Sequence, residues 1–427
     1  MKKFTPSVLS MAIMTTLSFG SAGASAEASA EPATLKLWRH ETSSVKEIET
    51  NVAAVERFNQ SQNRWKIEVE MIPEGSYTET ITAAALAGDL PCVMDMDQPV
   101  VPNFAWAGYL RPLKGLVSQD VLDSLISTAK GTYKDEVYSV GQFEVALALF
   151  TRQSILDKFG IRKATMEQPW TRDEFLNALK VLKESGEFPY PLDMRTGWKG
   201  EWYSYGFAPL LQSFGADQID RSNFVESEGV LNGKQAVAFG DFFQLLFEEG
   251  YLDRNPSDEK AFTQGRAAID YVGSWEMAKH VEVFGDDLVV MPVPDFGAGP
   301  VIGGGSWHWG ITKSCAQPQG AAAFIDFIMQ PTEVAAMSAG ASALPSTAAA
   351  AELTEHYRKG GDWRLFYDYS AAYARLRPQT PGYPIISSVF ETALRNIKDG
   401  ADVQDSLDQA VDTIERNISD NKGYGFN

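Results

Sequence analysis

Residues 65–98 read WKIEVEMIPEGSYTETITAAALAGDLPCVMDMDQ. The first seven, Trp65 to Met71, alternate apolar and charged side chains, the period-two pattern of a half-buried strand. Tyr77 to Ala87 reads as a helix that stops at Gly88. Pro91 to Met96 is strand-like again, and Asp97 and Gln98 stand at its end. Strand, helix, strand in that order is an α/β unit, and a crossover of helix length makes its strands parallel.

The unit extends upstream. Thr34 to Trp38 (TLKLW) is a further strand, and Val45 to Gln60 carries Ile48, Val52, Val55 and Phe58 at the three- and four-residue steps of a helix. Ligands of open parallel sheets gather beyond the C-terminal ends of the strands. Trp38-Arg39-His40 and Asp97-Gln98 occupy two such ends.

Downstream, Val137 to Phe150 reads as two strands joined through Gly141 to Glu144, a passage between domains. Arg172 to Ser185 is a helix, with Thr171 as cap and Glu174 completing a capping box. Residues 193–215, rich in Gly, Trp and Tyr, are expected to be loop-rich. Residues 234–248 are helical, and 261–275 run from a helix end through a strand to an aromatic loop. Val289 to Pro294 is another strand and a second passage, and amphipathic helices close the chain from Ser387. The fold class expected is α/β, and the length suits two domains or a single large one.

The chain opens with Lys2 and Lys3, followed by the uncharged, mostly apolar run VLSMAIMTTLSF at 8–19. That run is too short to cross a hydrocarbon core of about 30 Å. Small-x-small sites follow at Ala24-Ser25-Ala26 and Ala28-Ser29-Ala30. Together these parts form a secretory leader, residues 1–26, with Ala30 as the alternative cleavage point. The cleavage region holds no Cys for a lipid anchor, and no later apolar stretch is long enough to span a membrane. The expected location is the periplasm, with secretion into the medium as the alternative.

The formal charge is −19, and losing Lys2 and Lys3 with the leader makes the protein more negative still. Such a surface repels nucleic acid and anionic lipid. The two Cys, Cys92 and Cys315, either pair in an oxidising compartment or remain two buried thiols. The four His show no zinc spacing, so neither a metal nor a cofactor is expected.

The chain holds 10 Trp, 15 Tyr and 24 Phe. Trp198, Trp202, Tyr203 and Tyr205 fall in one segment, Trp275 in a second, and Trp307 and Trp309 in a third just after Gly303-Gly304-Gly305. Consecutive glycines let backbone approach a ligand closely. Sugars present C–H faces that suit an indole, and hydroxyls that need in-plane donors and acceptors. Aromatic segments near Arg39, His40, Asp97, Glu144 and Arg375 fit such a ligand. The bland alternative is that the aromatics are packing. No G-x-S-x-G elbow, P-loop or dinucleotide fingerprint appears, and no catalytic residue is assigned.

Several stretches carry a resemblance: LKLWRH at 35–40, AVERFNQSQNRWKIEVEMIP at 54–73, ITAAALAGDLPCVMDMDQ at 81–98, WAGYLRPLKG at 106–115, FTQGRAAIDYVGSWEM at 262–277 and VVMPVPDFGAGPVIGGGSWHWGITKSC at 289–315. In this order the sequence resembles the extracellular solute-binding proteins of ABC importers. The branch is the one that takes up sugars and oligosaccharides and includes maltose-binding protein.

The resemblance implies a two-lobe periplasmic binding protein fold, each lobe a mostly parallel sheet flanked by helices, with the ligand cleft between them. Residues 31–141 and 295–345 would form one lobe, and 142–294 and 346–427 the other. Hinge crossings would lie near 140–144, 290–295 and 343–348. Carried over by position, the ligand-binding residues would be Arg39, His40, Asp97, Gln98, Glu144, Trp202, Trp275, Gly304, Gly305, Trp307 and Arg375. The expected ligand is a disaccharide to short oligosaccharide, delivered by a monomer to an inner-membrane ABC permease. The alternatives are another polar solute (polyol, glycoside or anionic sugar derivative) and a periplasmic polysaccharide-degrading enzyme. Two positions depart from the pattern: Cys92 replaces an acidic residue and Gly141 a proline.

Overall fold

The computed structural model describes residues 31–42 and 44–426. The leader and both its cleavage sites lie outside the described residues.

The opening strands and helices form as their periodicity dictates. Strand β1 (Ala33–Glu41) runs parallel to β2 (Trp65–Pro73), pairing Ala33 with Trp65 through Glu41 with Pro73, and parallel to β3 (Val93–Asp97) on its other side. Helix α1 (Val45–Ser61) joins the first pair; Ser44 caps it by accepting the Glu47 N–H, and Ala54, Val55 and Phe58 face the core. Helix α2 (Glu74–Ala87) starts three residues earlier than the apolar pattern shows, directly after Pro73. Gly88 ends it in the left-handed region (φ 74°), where a residue with a Cβ would be strained.

Further along, β4 (Lys130–Tyr133) and β5 (Glu136–Gly141) form a hairpin, followed by the short β6 (Phe143–Glu144) and then β7 (Leu147–Arg152). Strands β8 (Leu192–Asp193), β9 (Ile269–Gly273) and β10 (Leu288–Met291) complete a second sheet with order β10-β7-β9-β8. The chain then returns through β11 (Ile302–Gly304) to β12 (Trp307–Ile311), and adds β13 (Leu344–Pro345) and β14 (Ala374–Leu376). The first sheet has the order β2-β1-β3-β12-β5-β4. Each of two lobes is thus built on its own sheet. The chain passes between them within residues 142–146 and 292–306, and β6 pairs with β13 beside the first passage.

The α/β class and the two lobes stand, but the sheets are mixed rather than mostly parallel. Strand β12 comes back from the second lobe and enters between β3 and β5, antiparallel to both. In the second sheet β7 runs antiparallel to both β9 and β10; only β8 and β9 pair in parallel. Helix Met277–Phe284 does connect β9 to β10 so that they run the same way, but β7 lies between them in the opposite direction. Inserted strands of this kind have no local signature, because only the order of neighbouring elements is legible in a sequence.

The disulfide Cys92–Cys315 joins the entrance of β3 to the exit of β12 and so fastens the returning strand into the first sheet. The second lobe packs around Phe150, Phe207, Phe239, Phe243, Leu394 and Ile414, all fully buried. Its helix Arg172–Glu184 opens with the expected capping box between Thr171 and Glu174. Residues 203–213 are not loop. Tyr203–Phe207 form a π-helical turn that runs into helix Ala208–Ser213, and Tyr203 and Phe207 are core. Burial of these large aromatics drives the segment inward. No described helix is long and apolar enough to cross a membrane.

Candidate ligand cleft

Asp97 ends β3, opposite Trp307 in the register, and faces the second lobe. Arg377 reaches it in a bidentate pair: Nη2 donates to Oδ1 at 2.6 Å and Nη1 to Oδ2 at 2.7 Å. Nη1 also donates to Glu201 Oε2 at 2.9 Å and Nη2 to the Gly305 carbonyl at 3.3 Å. The guanidinium lies 5.2 Å from the Tyr205 ring centre. Burial works against the Arg377 charge, but Asp97, Tyr383 and Glu201 overcome it and push its pKa up. Burial also pushes the Glu201 carboxyl up, against the pull of Arg377. Tyr383 and Ser387 both donate to Glu201, the latter at 2.7 Å. The network therefore bridges strand end β3 to helix Tyr383–Lys398.

Neighbouring polar groups continue the seam. The Gln98 amide donates to Gln379 Oε1 at 2.6 Å and accepts from Gln379 Nε2 at 3.3 Å. Asn103 donates to the Pro381 carbonyl at 2.8 Å. The walls of the cleft meet along 97–103 and 377–383.

The glycine-rich segment supplies close backbone approach. Strand β11 pairs with β14, Gly304 opposite Leu376. A Cβ on Gly303 would sit 2.7 Å from the Tyr205 carbonyl oxygen. Gly305 has φ +84°, and a Cβ there would sit 2.7 Å from Gln98 Oε1. Glu144, wholly buried on β6, accepts the Gly305 N–H at 3.0 Å through Oε2. Its Oε1 has no hydrogen-bond partner; His308 Nε2 stands 3.9 Å from it.

On the second-lobe side, the partly exposed Trp275 meets Trp202 edge-to-face at 6.3 Å between ring centres and Tyr205 at 6.1 Å. Gly273 makes room for it: a Cβ there would fall 1.8 Å from the Trp275 ring. Trp202 is buried and donates its indole N–H to the Met194 carbonyl at 3.0 Å, so it supports Trp275 from behind.

Asp97, Gln98, Glu144, Gly304 and Gly305 therefore converge at one junction, with Trp275 and Trp202 on the second-lobe side. Other expected residues sit differently. Arg39 is buried against Glu47 and within 4.0 Å of Asp95, inside the first lobe. His40 is held by Asp95, Nδ1 to Oδ2 at 2.6 Å, and stacks on Trp307 at 3.6 Å with 14° between the planes. One face of Trp307 is thereby used by protein. Arg375 is exposed on β14, whereas Arg377, just past the strand end, turns inward. Glu201, Tyr205 and Tyr383 were not selected from the sequence as ligand residues, and Arg377 only as one of three arginines with room for the anionic group of the alternative ligand. Arg377 and Arg375 would share a face if the strand continued, but it ends at Leu376 and Pro378 follows. Between Arg39, His40, Asp95, Gln142 and Trp307 lies a small cavity of about 10 Å³, room for about one water. Among the described residues no group of His, Cys, Asp and Glu forms a metal-ligand cluster.

This architecture agrees with comparison to known proteins. Residues 43–335 match the family described as bacterial extracellular solute-binding protein, and the chain belongs to that family. Among solved structures it is similar to the cyclic alpha-maltosyl-1,6-maltose binding protein of Arthrobacter globiformis, at TM-score 0.75 and 22% identity over 91% of this chain and 100% of that one. The GacH receptor of Streptomyces glaucescens, solved unliganded and with acarbose, gives 0.75 at 20% identity over 91% and 98%. The maltose/maltodextrin-binding domain MalE of Bdellovibrio bacteriovorus, bound to maltotriose, gives 0.75 at 17% over 91% and 100%. These relatives are binding proteins.

Proposed function

We propose that this protein captures a neutral sugar, a disaccharide to short oligosaccharide, in the periplasm and delivers it as a monomer to an ABC importer in the inner membrane. The reading rests on one observation above all. Carboxylates with spare acceptor capacity (Asp97 and Glu144), a glycine-lined backbone and the Trp275 shelf converge where the lobes meet. Hydroxyls need such acceptors, and sugar C–H faces suit such a shelf. The sugars named for structurally similar proteins point the same way.

In this reading the lobes comprise 31–141 with 295–345, and 142–294 with 346–427. They separate about crossings near 140–144, 290–295 and 343–348 to admit ligand, and ligand contacts to both lobes favour the closed state. Closure then presents one docking shape to the permease. The binding residues are Asp97, Gln98, Glu144, Trp275, Gly304, Gly305 and Arg377, with Trp202 and Trp307 behind them. Calorimetry against a panel of neutral disaccharides and trisaccharides tests this. Micromolar or tighter binding of at least one is expected; binding of none, beside tight binding of a polyamine or metal ion, overturns it.

A further inference from the structure

We propose that Asp97 sets the charge of the ligand: by occupying the fork of Arg377 it makes the cleft accept neutral, hydroxyl-donating sugars and reject their carboxylated counterparts. The proposal rests on the sugar reading above and adds a residue that decides among sugars.

An arginine is the usual receiver of a carboxylate or phosphate, because its fork gives two parallel N–H donors. In this cleft that fork is already filled. Arg377 gives both its Nη groups to Asp97, Nη1 also to Glu201, and Nη2 also to the Gly305 carbonyl. Its Nε alone has no partner. Arg39, within β1 of the first sheet, is buried and likewise held by Glu47 and Asp95. An anionic ligand would have to expel Asp97 from Arg377. The displaced Asp97 would then lose its cation and lie beside the ligand's own negative charge.

The same geometry suits a hydroxyl. Each oxygen of an ionised carboxylate has two acceptor sites. Asp97 spends one per oxygen on Arg377, and buried Glu144 Oε1 spends none. These acceptors want donors, and the hydroxyls of a neutral sugar supply them. A sugar acid brings acceptors to acceptors. Like charges brought together across a binding surface cost several kcal/mol, so the expected discrimination is on the order of 100-fold or more.

The test uses the full-length mature protein and calorimetry. The probes are maltose, cellobiose and mannobiose, each beside its C1-oxidised aldonate, with free glucuronate as a small anion. The wild type is expected to bind at least one neutral disaccharide and to reject its aldonate and glucuronate. Asp97→Asn keeps the side-chain shape, and Glu201 remains to hold Arg377. It is expected to bind the neutral sugar less tightly, to narrow the neutral-to-acid ratio at least about tenfold, and to gain glucuronate binding. Adding Arg377→Gln should abolish that gain. Asp97→Ser is the second variant if Asp97→Asn does not fold. An unchanged ratio in a folded variant, or equal wild-type affinity for a sugar and its aldonate, overturns the proposal. If the wild type binds no neutral sugar, the sugar reading fails. The Asp97 assignment then stands or falls on whether glucuronate binds the variant and not the wild type.

Discussion

The Glu144 carboxylate accepts the Gly305 N–H at 3.0 Å, tying the first passage between the sheets to the glycine-rich segment of the second. Glu144 is wholly buried, and β6 pairs it with Leu344 of β13. The contact therefore sits where the two passages between the sheets meet. Glu144→Ala leaves a buried N–H without its acceptor and should cost about 1–3 kcal/mol of stability. Glu144→Gln keeps an acceptor oxygen and should cost clearly less. Urea unfolding of both variants measures the difference, and equal midpoints would remove the role assigned to this bond.

Trp275 and Trp307 should respond differently to truncation. Trp275 is partly exposed against Trp202 and Tyr205, so Trp275→Ala should weaken sugar binding about tenfold with little loss of stability. Trp307 stacks on His40, so Trp307→Ala should lower both affinity and melting temperature. Gly273→Ala should act on the Trp275 indole from beneath, since its new methyl group overlaps the ring. Fluorescence titration and thermal melts of the three variants separate these outcomes. Trp275→Ala with unchanged affinity would return that indole to simple packing.

The disulfide should matter for stability and not for recognition. Cys92 lies just before β3 and Asp97 at its end, so the bridge and the cleft lie at opposite ends of the strand. The bridge closes a loop of 223 residues, and such a link contributes about 2–4 kcal/mol. Cys92→Ser with Cys315→Ser should lower the melting temperature markedly and change sugar affinity less than about twofold. Thiol titration of the unreduced, denatured wild type should find no free thiol. Two free thiols would contradict the pairing.

Asp193 gives a pH dependence with a definite sign. Burial first, then repulsion from Asp270, pushes its carboxyl up to about 6. The folded state thus holds this proton more tightly than the unfolded chain, whose aspartates titrate near about 3.9. Stability is therefore lost as pH rises from about 4 to about 6, and the loss persists above that. Asp193→Asn removes the group, so its stability relative to wild type should rise across the same window. Urea midpoints between pH 4 and 7 report it; a difference that stays flat would contradict the burial argument.

The sequence carried the first three strands and their helices in order, with ends within three residues, because alternation and three-to-four spacing are local properties. The capping box at Thr171 and Glu174 was legible for the same reason. Strand β7 was legible as a strand but not as an insertion, and β12 was read only as an aromatic segment, since the neighbours of both come from distant chain segments. Site residues divided along a similar line. Asp97 and Gln98 followed from their place after β3. Arg39 and His40 stand just past the strand as its pattern reads, but β1 runs on to Glu41, and Glu47 and Asp95 hold both side chains inside the lobe. Arg377 depended on where β14 ends, and Glu201 on a fold that brings residue 201 beside residues 383 and 387.

Native mass spectrometry after equilibration with one defined mixture tests the central claim most directly. The mixture holds neutral disaccharides and trisaccharides, their aldonates, polyamines and amino acids at equal concentration. The account predicts a one-to-one complex whose added mass is that of a neutral sugar. A complex formed only with an aldonate, a polyamine or an amino acid would contradict it.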